Sequence, residues 1–270
     1  MRVLLCVAAA LALQAQDPKE IIKRSMERDA RNLALLDTYI YESKTRIQTF
    51  DKNGRVEETI ENADEVFHVD GSRVERHLVK KGKALTGRDE AAEQKRVDRE
   101  IAKIKSESPK ERAKRRGETE KDKREEIEAR REISEAYDFK LIGSQKINGR
   151  LCWGLEGAPR PGFQGKGRRA DQLKKLKGKV WIDQATYELV KLDLDSIDTI
   201  SFGWFIFRLS AGARIELEQA LVNNEVWLPQ RIGIRADARI LGKLKRVGID
   251  TGYSKFRKFS SDSKLVVAEP

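Results

Sequence analysis

The sequence predicts an α+β protein: one large, curved antiparallel sheet covered by helices, with a charged helical insertion. Three observations predict it. Strand-like segments recur along the 270-residue chain with Asn-Gly or Asp-Gly pairs between several of them. Such pairs accept the positive φ angles of tight hairpins. One amphipathic segment near the start reads as a helix. Residues 88–135 hold 16 basic and 15 acidic residues among 48, without a sustained heptad seam.

The N-terminus reads as an export signal. Arg2 precedes an apolar run from Val3 to Leu13. That is too short for a permanent span, which needs about 20 residues, and it fits the apolar region of a secretory signal with cleavage near Ala15. The alternative is a buried N-terminal helix. Cys6 follows the bulky Leu5 inside the run, which argues against lipidation. Removal of residues 1–15 takes Arg2 away, lowers the net charge from +11 to +10 and leaves Cys152 as the single thiol. One thiol forms no internal disulfide. On the apolar stretch Leu151–Gly157 it is expected to be buried and inert. Residues 16–270 are then one domain, interrupted by the charged insertion at 88–135.

Asp17 and Pro18 are a cap and a first helical residue, so a helix is expected to Leu36. Thr38–Phe50 alternates as a strand, Asn53-Gly54 turns it, and Arg55–Val69 runs back. Asp70-Gly71 turns again into Arg73–Val79, which makes an antiparallel meander. The charged segment reads as two helices, Asp89–Ser106 and Pro109–Glu135. Ser108, Pro109 and Glu111 set the start of the second. It is either a protruding hairpin that binds a partner or a solvated insertion. Strands resume at Asp138–Lys146 and Arg150–Glu156 around Asn148-Gly149. Lys179–Asp183 and Glu188–Asp195 follow a Gly- and Pro-rich loop. In the second of these, Val190, Leu192 and Leu194 are expected on one face and Lys191, Asp193 and Asp195 on the other. Ile200–Leu209 is apolar on both alternating sets. It is expected to be a lid or cavity wall, with a strand buried on both sides as the alternative. Arg214–Val222, Val226–Ala238 and Val247–Phe259 complete the sheet.

The sequence carries no GxSxG, HExxH, GxxxxGK or CxxC pattern. His68 and His77 fall on neighbouring strands and could face each other, yet two His without a third ligand make a weak metal site. No metal, cofactor or catalytic residue is therefore assigned. Basic residues cluster at 160–179, eight against one acid, and at 231–258, nine against two. Such patches attract phosphate-bearing surfaces. Behind a signal peptide, anionic headgroups fit them better than nucleic acid.

The second half also carries a resemblance. Lys179-Val-Trp-Ile-Asp183, the turn, Leu189-Val-Lys191, the apolar segment, Val226-Trp-Leu-Pro229 and a last strand with Tyr253, Phe256 and Phe259 resemble the LolA/LolB-like superfamily of exported bacterial proteins. That group includes outer-membrane lipoprotein-sorting proteins and the periplasmic sensor RseB. The resemblance covers 137–259. It implies a half-open barrel with helices across its concave apolar face, binding acyl chains or lipidated partners. It transfers no ligand residue one by one, and the charged insertion departs from it. The expected function is non-enzymatic lipid or lipoprotein binding in the periplasm. The alternative is an envelope sensor or scaffold that binds a protein through the insertion. Candidate cavity or lid residues are Trp153, Val190, Leu192, Leu194, Phe202, Trp204, Phe207, Ile232 and Ile234. Candidate contacts to an anionic surface are Arg168, Arg169, Lys174 and Lys175.

Overall fold

Asp17 caps the first helix as its sequence position suggests: its side chain accepts from the Lys19 N–H at 3.0 Å, and α1 runs Pro18–Leu36. The structure is a computed structural model that describes residues 17–165, 172–202, 207–240 and 243–258. The expected signal peptide lies outside these residues, as do Arg168, Arg169 and Trp204.

After α1 come β1 (Tyr39–Phe50), β2 (Val56–Val69), β3 (Ser72–Lys80) and the short β4 (Lys83–Ala84). Helices α2 (Gly87–Lys105) and α3 (Pro109–Ala136) follow. The chain continues through β5 (Tyr137–Ile147), β6 (Arg150–Pro159), β7 (Leu176–Asp183) and β8 (Leu189–Ser196). Then come β9 (Ile200–Phe202), β10 (Phe207–Leu209), β11 (Arg214–Val222), β12 (Val226–Ile240) and β13 (Lys243–Lys258). Two of the turns follow the expected chemistry: Asp70 and Gly71, and Asn148 and Gly149, all have positive φ, whereas in the Asn53-Gly54 turn only Gly54 does.

The strands form one sheet in the order β4-β3-β2-β1-β13-β12-β11-β8-β7-β6-β5. Every described pairing is antiparallel. The sheet curves but does not close, since β4 and β5 are its two free edges. This is the α+β half-barrel that the sequence predicts.

The inner face is the one α1 covers. Ile21 and Ile22 of α1 pack on Trp153, Leu155 and Ile182. Farther along the helix, Leu36 meets Tyr39, Tyr41, Val66 and Leu228. Helix α2 takes the opposite face, where Val97 and Ile104 pack on Phe67 and Val74. Phe67 and its neighbour Val66 point to opposite sides of the same strand. Helix α3, 28 residues and about 42 Å long at 1.5 Å per residue, packs along α1. Its Ser108–Glu111 capping box forms as expected. Lys123 bonds Asp37 at 2.6 Å, and Arg130 bonds the buried Asp29. Because α2 and α3 join β4 to β5, the charged segment carries the chain from one sheet edge to the other.

The segment 200–209 is strand at both of its described ends. β9 and β10 pair with each other, and Leu209 of β10 pairs with Ala238 of β12. They prolong the β8–β11 hairpin beyond a kink at Ser196. There the Ser196 side chain donates to Ser210 O and accepts from the Ala213 N–H. Ile200 and Leu209 are fully buried. These ends are strand, and residues 203–206 between them lie outside the described residues.

Candidate functional site: an apolar cavity beneath the first helix

The site starts from two missing side chains. Gly157 on β6 and Gly178 on β7 are direct cross-strand partners. A Cβ at Gly157 would lie 2.7 Å from the Phe139 ring, and one at Gly178 would lie 2.1 Å from the main-chain oxygen of Asp193. Glycine in a strand interior commonly marks close approach of a backbone or a ligand. Both glycines line a hollow of about 110 Å³ on the inner face.

Ile22 and Met26 of α1 and Ile133 of α3 roof the cavity. Tyr137 and Phe139 of β5 form one side, with their rings stacked at 5.6 Å. Val180 and Ile182 of β7 form the floor, and Leu189, Leu192 and Leu194 of β8 close the other side. Leu173 and Leu176 line the end. The lining is almost wholly apolar. Its one polar group, the Tyr137 hydroxyl, donates to Leu173 O at 2.5 Å. Burial raises the Tyr137 pKa well above the usual phenol range, so the ring stays neutral.

Two of the expected cavity residues, Leu192 and Leu194, line it. Trp153 lies beside it under α1, with its ring 5.2 Å from that of Tyr187. Ile232 and Ile234 are on the same inner face two strands away: register aligns Leu192 with Leu217 and Ile232, and Leu194 with Ile215 and Ile234. Val190 points to the other face, which corrects the simple alternation. A register shift between Trp181 and Ile182 places a bulge in β8. Leu189 therefore turns inward, while Val190 packs with Cys152 and Trp227. Phe202 and Phe207 pair through their backbones.

Sequence reasoning missed the α1, α3, β5 and β7 contributions. The two strand glycines and the alternation of Leu176, Gly178, Val180 and Ile182 were the available signals.

A polar network locks the second half of α1. The Asn32 side chain donates to Glu188 at 2.7 Å and accepts from the Trp227 N–H at 3.2 Å. Burial raises the Glu188 pKa above the ordinary carboxylate value, against the opposing Asn32 bond. Arg24 stacks over Tyr187 at 5.1 Å on the solvent side.

Of the expected anionic-surface contacts, Lys174 and Lys175 lie among the described residues. Lys175 is committed to Thr199 O at 2.8 Å, and Lys174 also has a partner. The two His do not face each other: register pairs His77 with Asp64 and His68 with Arg73. His77 meets Asp64 at 2.6 Å and His68 meets Asp37 at 3.3 Å. Among the described residues no group of three His, Cys, Asp or Glu could hold a metal ion. Cys152 is fully buried, and burial pushes its thiol pKa up.

No protein-family model and no curated protein matches the chain. Solved structures do. A DUF1329 family protein from Desulfovibrio piger is 13% identical, with a TM-score of 0.33, covering 92% of this chain and 96% of its own. An outer membrane lipoprotein-sorting protein domain from Vibrio parahaemolyticus is 12% identical, with a TM-score of 0.38 and coverage of 90% and 95%. A LolA superfamily protein from Nitrosomonas europaea is 11% identical, with a TM-score of 0.30 and coverage of 90% and 93%. These structural neighbours include the superfamily that the sequence resembles.

Proposed function

We propose that this chain is an exported, non-enzymatic protein of the cell envelope that holds acyl chains, of a lipid or a lipoprotein, in the cavity beneath α1. The observation that carries this reading is the cavity itself: an apolar hollow lined by two facing strand glycines and roofed by a helix. An acyl chain gains about 0.8 kcal/mol per buried CH₂, and such binding needs no catalytic group. A cavity of about 110 Å³ is comparable in scale to the roughly 150 Å³ apolar cavity known to take benzene. It accepts the last few carbons of a chain, and a longer segment requires α1 to lift off β6 and β7.

The test is native mass spectrometry after mild extraction, followed by titration of the delipidated protein with a fluorescent fatty acid. Co-purifying lipid and saturable binding are expected. Leu194→Trp, which fills the cavity from β8, is expected to weaken probe binding at least tenfold. A delipidated, folded protein that refuses the probe overturns the reading.

A further inference from the structure

The corner between α2 and α3 has a charge distribution that acyl binding does not use. Residues 103–116 hold seven basic and two acidic residues, a net charge of +5. Both acids are already committed. Arg115 grips the Glu107 carboxylate at 2.7–2.9 Å. Glu111 folds back onto the Ser108 N–H and hydroxyl at 2.9 and 2.7 Å. The exposed Lys103, Lys105, Lys110, Lys114 and Arg116 make no ion pair among the described residues.

Position adds to charge. Ile104 buries the end of α2 on the outer face of the sheet. Arg115 Nη1 donates to Asp70 O at 3.0 Å, which pins the start of α3 at the β2–β3 turn. The chain thus rounds the sheet at this turn, with the corner at its rim. The cations surround the helix there: at 100° per residue, Lys110 and Lys114 fall on one side of α3 and Arg116 on the other.

We infer that this corner is a docking site for the anionic phospholipid headgroups of a membrane surface. Residues 117–135 turn acidic, with eight acids against five bases. A long polyanion lying along α3 would be repelled, whereas a plane that meets the corner end-on meets its net charge of +5 and not the acidic run. The exposed corner presents no large apolar side chain, so contact is electrostatic and does not insert. Each Lys or Arg near an anionic surface multiplies partitioning roughly fivefold, and salt screens the attraction. The inference is independent of the acyl-binding reading, because Leu194→Trp leaves this surface unchanged.

Co-sedimentation with vesicles tests it. The purified protein is expected to bind vesicles of phosphatidylglycerol and phosphatidylethanolamine at low salt. It should not bind phosphatidylcholine vesicles, and 0.5 M salt should release it. Changing Lys103, Lys105, Lys110, Lys114 and Arg116 together to Gln is expected to cut partitioning at least about a hundredfold. Changing five exposed cations elsewhere (Lys44, Lys52, Lys140, Lys146 and Arg235) to Gln removes the same charge and is expected to cut it less than tenfold. Circular dichroism melts confirm that both variants are folded. Equal losses in the two variants, undiminished binding by the first, or binding of the native protein to neither vesicle overturns the inference.

Discussion

Gly157 and Gly178 face each other across β6 and β7, and neither has room for a methyl group. The two obstructions differ in kind. At Gly157 the obstacle is the Phe139 ring, a side chain that borders the cavity and can shift into it. At Gly178 it is the main-chain oxygen of Asp193 on the paired strand. Gly157→Ala is therefore expected to cost about 1–3 kcal/mol, as overpacking does, and to reduce probe binding as Phe139 moves inward. Gly178→Ala is expected to cost about 3 kcal/mol or more, because a strand must move. Urea denaturation ranks the two, and the opposite order would show that the obstruction at Gly178 relaxes easily.

The bulge in β8 separates two neighbouring residues. Val190→Ala removes contacts with Cys152 and Trp227 on the outer face. It should cost about 2 kcal/mol with fatty-acid affinity unchanged. Leu194→Ala enlarges the cavity and should change affinity more than stability. A Val190 variant that loses the probe while Leu194→Ala keeps it would place the binding site on the wrong face.

Much of this fold was legible because local chemistry determines it. Asn148-Gly149 and Asp70-Gly71 set their hairpins, and Ser108 with Glu111 sets the start of α3. Register was not legible. Leu189 and Val190 are both apolar, so alternation counted from either residue looks sound, and only pairing with Trp181 and Ile182 selects the frame. The cavity was hidden for a related reason. It depends on glycines from two strands becoming partners, and on Ile22, Met26 and Ile133 arriving from remote helices. The role of 88–135 was also nonlocal: its mixed charges suit a solvated surface equally well, and only the sheet order shows that it links the two edges.

Helix α3 is tied to α1 by Arg130 on Asp29, whose side chain is 8% exposed. Gln219 also reaches Asp29, at 3.4 Å. Arg130→Met leaves a buried carboxylate without its cation, and losses of about 3–5 kcal/mol follow such one-sided removals. Arg130 is itself a quarter exposed, so about 2–3 kcal/mol is expected. Adding Asp29→Asn to Arg130→Met should restore at least half of it. A double-mutant cycle by chemical denaturation measures the coupling, and strict additivity would mean that the pair contributes nothing.

The pH dependence of α2 docking follows from Glu93. Its carboxylate takes three bonds from Arg96 at 2.7–3.1 Å and one from the His77 N–H at 2.9 Å, joining α2 to β3. The Arg96 bonds lower the Glu93 pKa to about 2, with burial opposing and the His77 N–H assisting. The unfolded chain holds the proton up to about pH 4.3. Between these values the unfolded state binds more protons, so stability falls as the pH falls. The contribution is complete above about pH 4.3 and gone below about pH 2. A shift of this size corresponds to at most about 3 kcal/mol. Arg96 is more than a third exposed, and solvent screening reduces the figure to about 1–2 kcal/mol. Glu188 acts in the opposite direction: burial raises its pKa, so its contribution weakens as the pH rises above the unfolded value. Glu93→Gln should therefore lower stability at neutral pH and flatten the acid limb. Glu188→Gln should leave that limb in place and remove a loss at higher pH. Chemical denaturation from pH 2 to 8 separates them, with hydrogen exchange showing α2 opening first in the Glu93 variant. An acid limb unchanged by Glu93→Gln would mean that other carboxylates carry it.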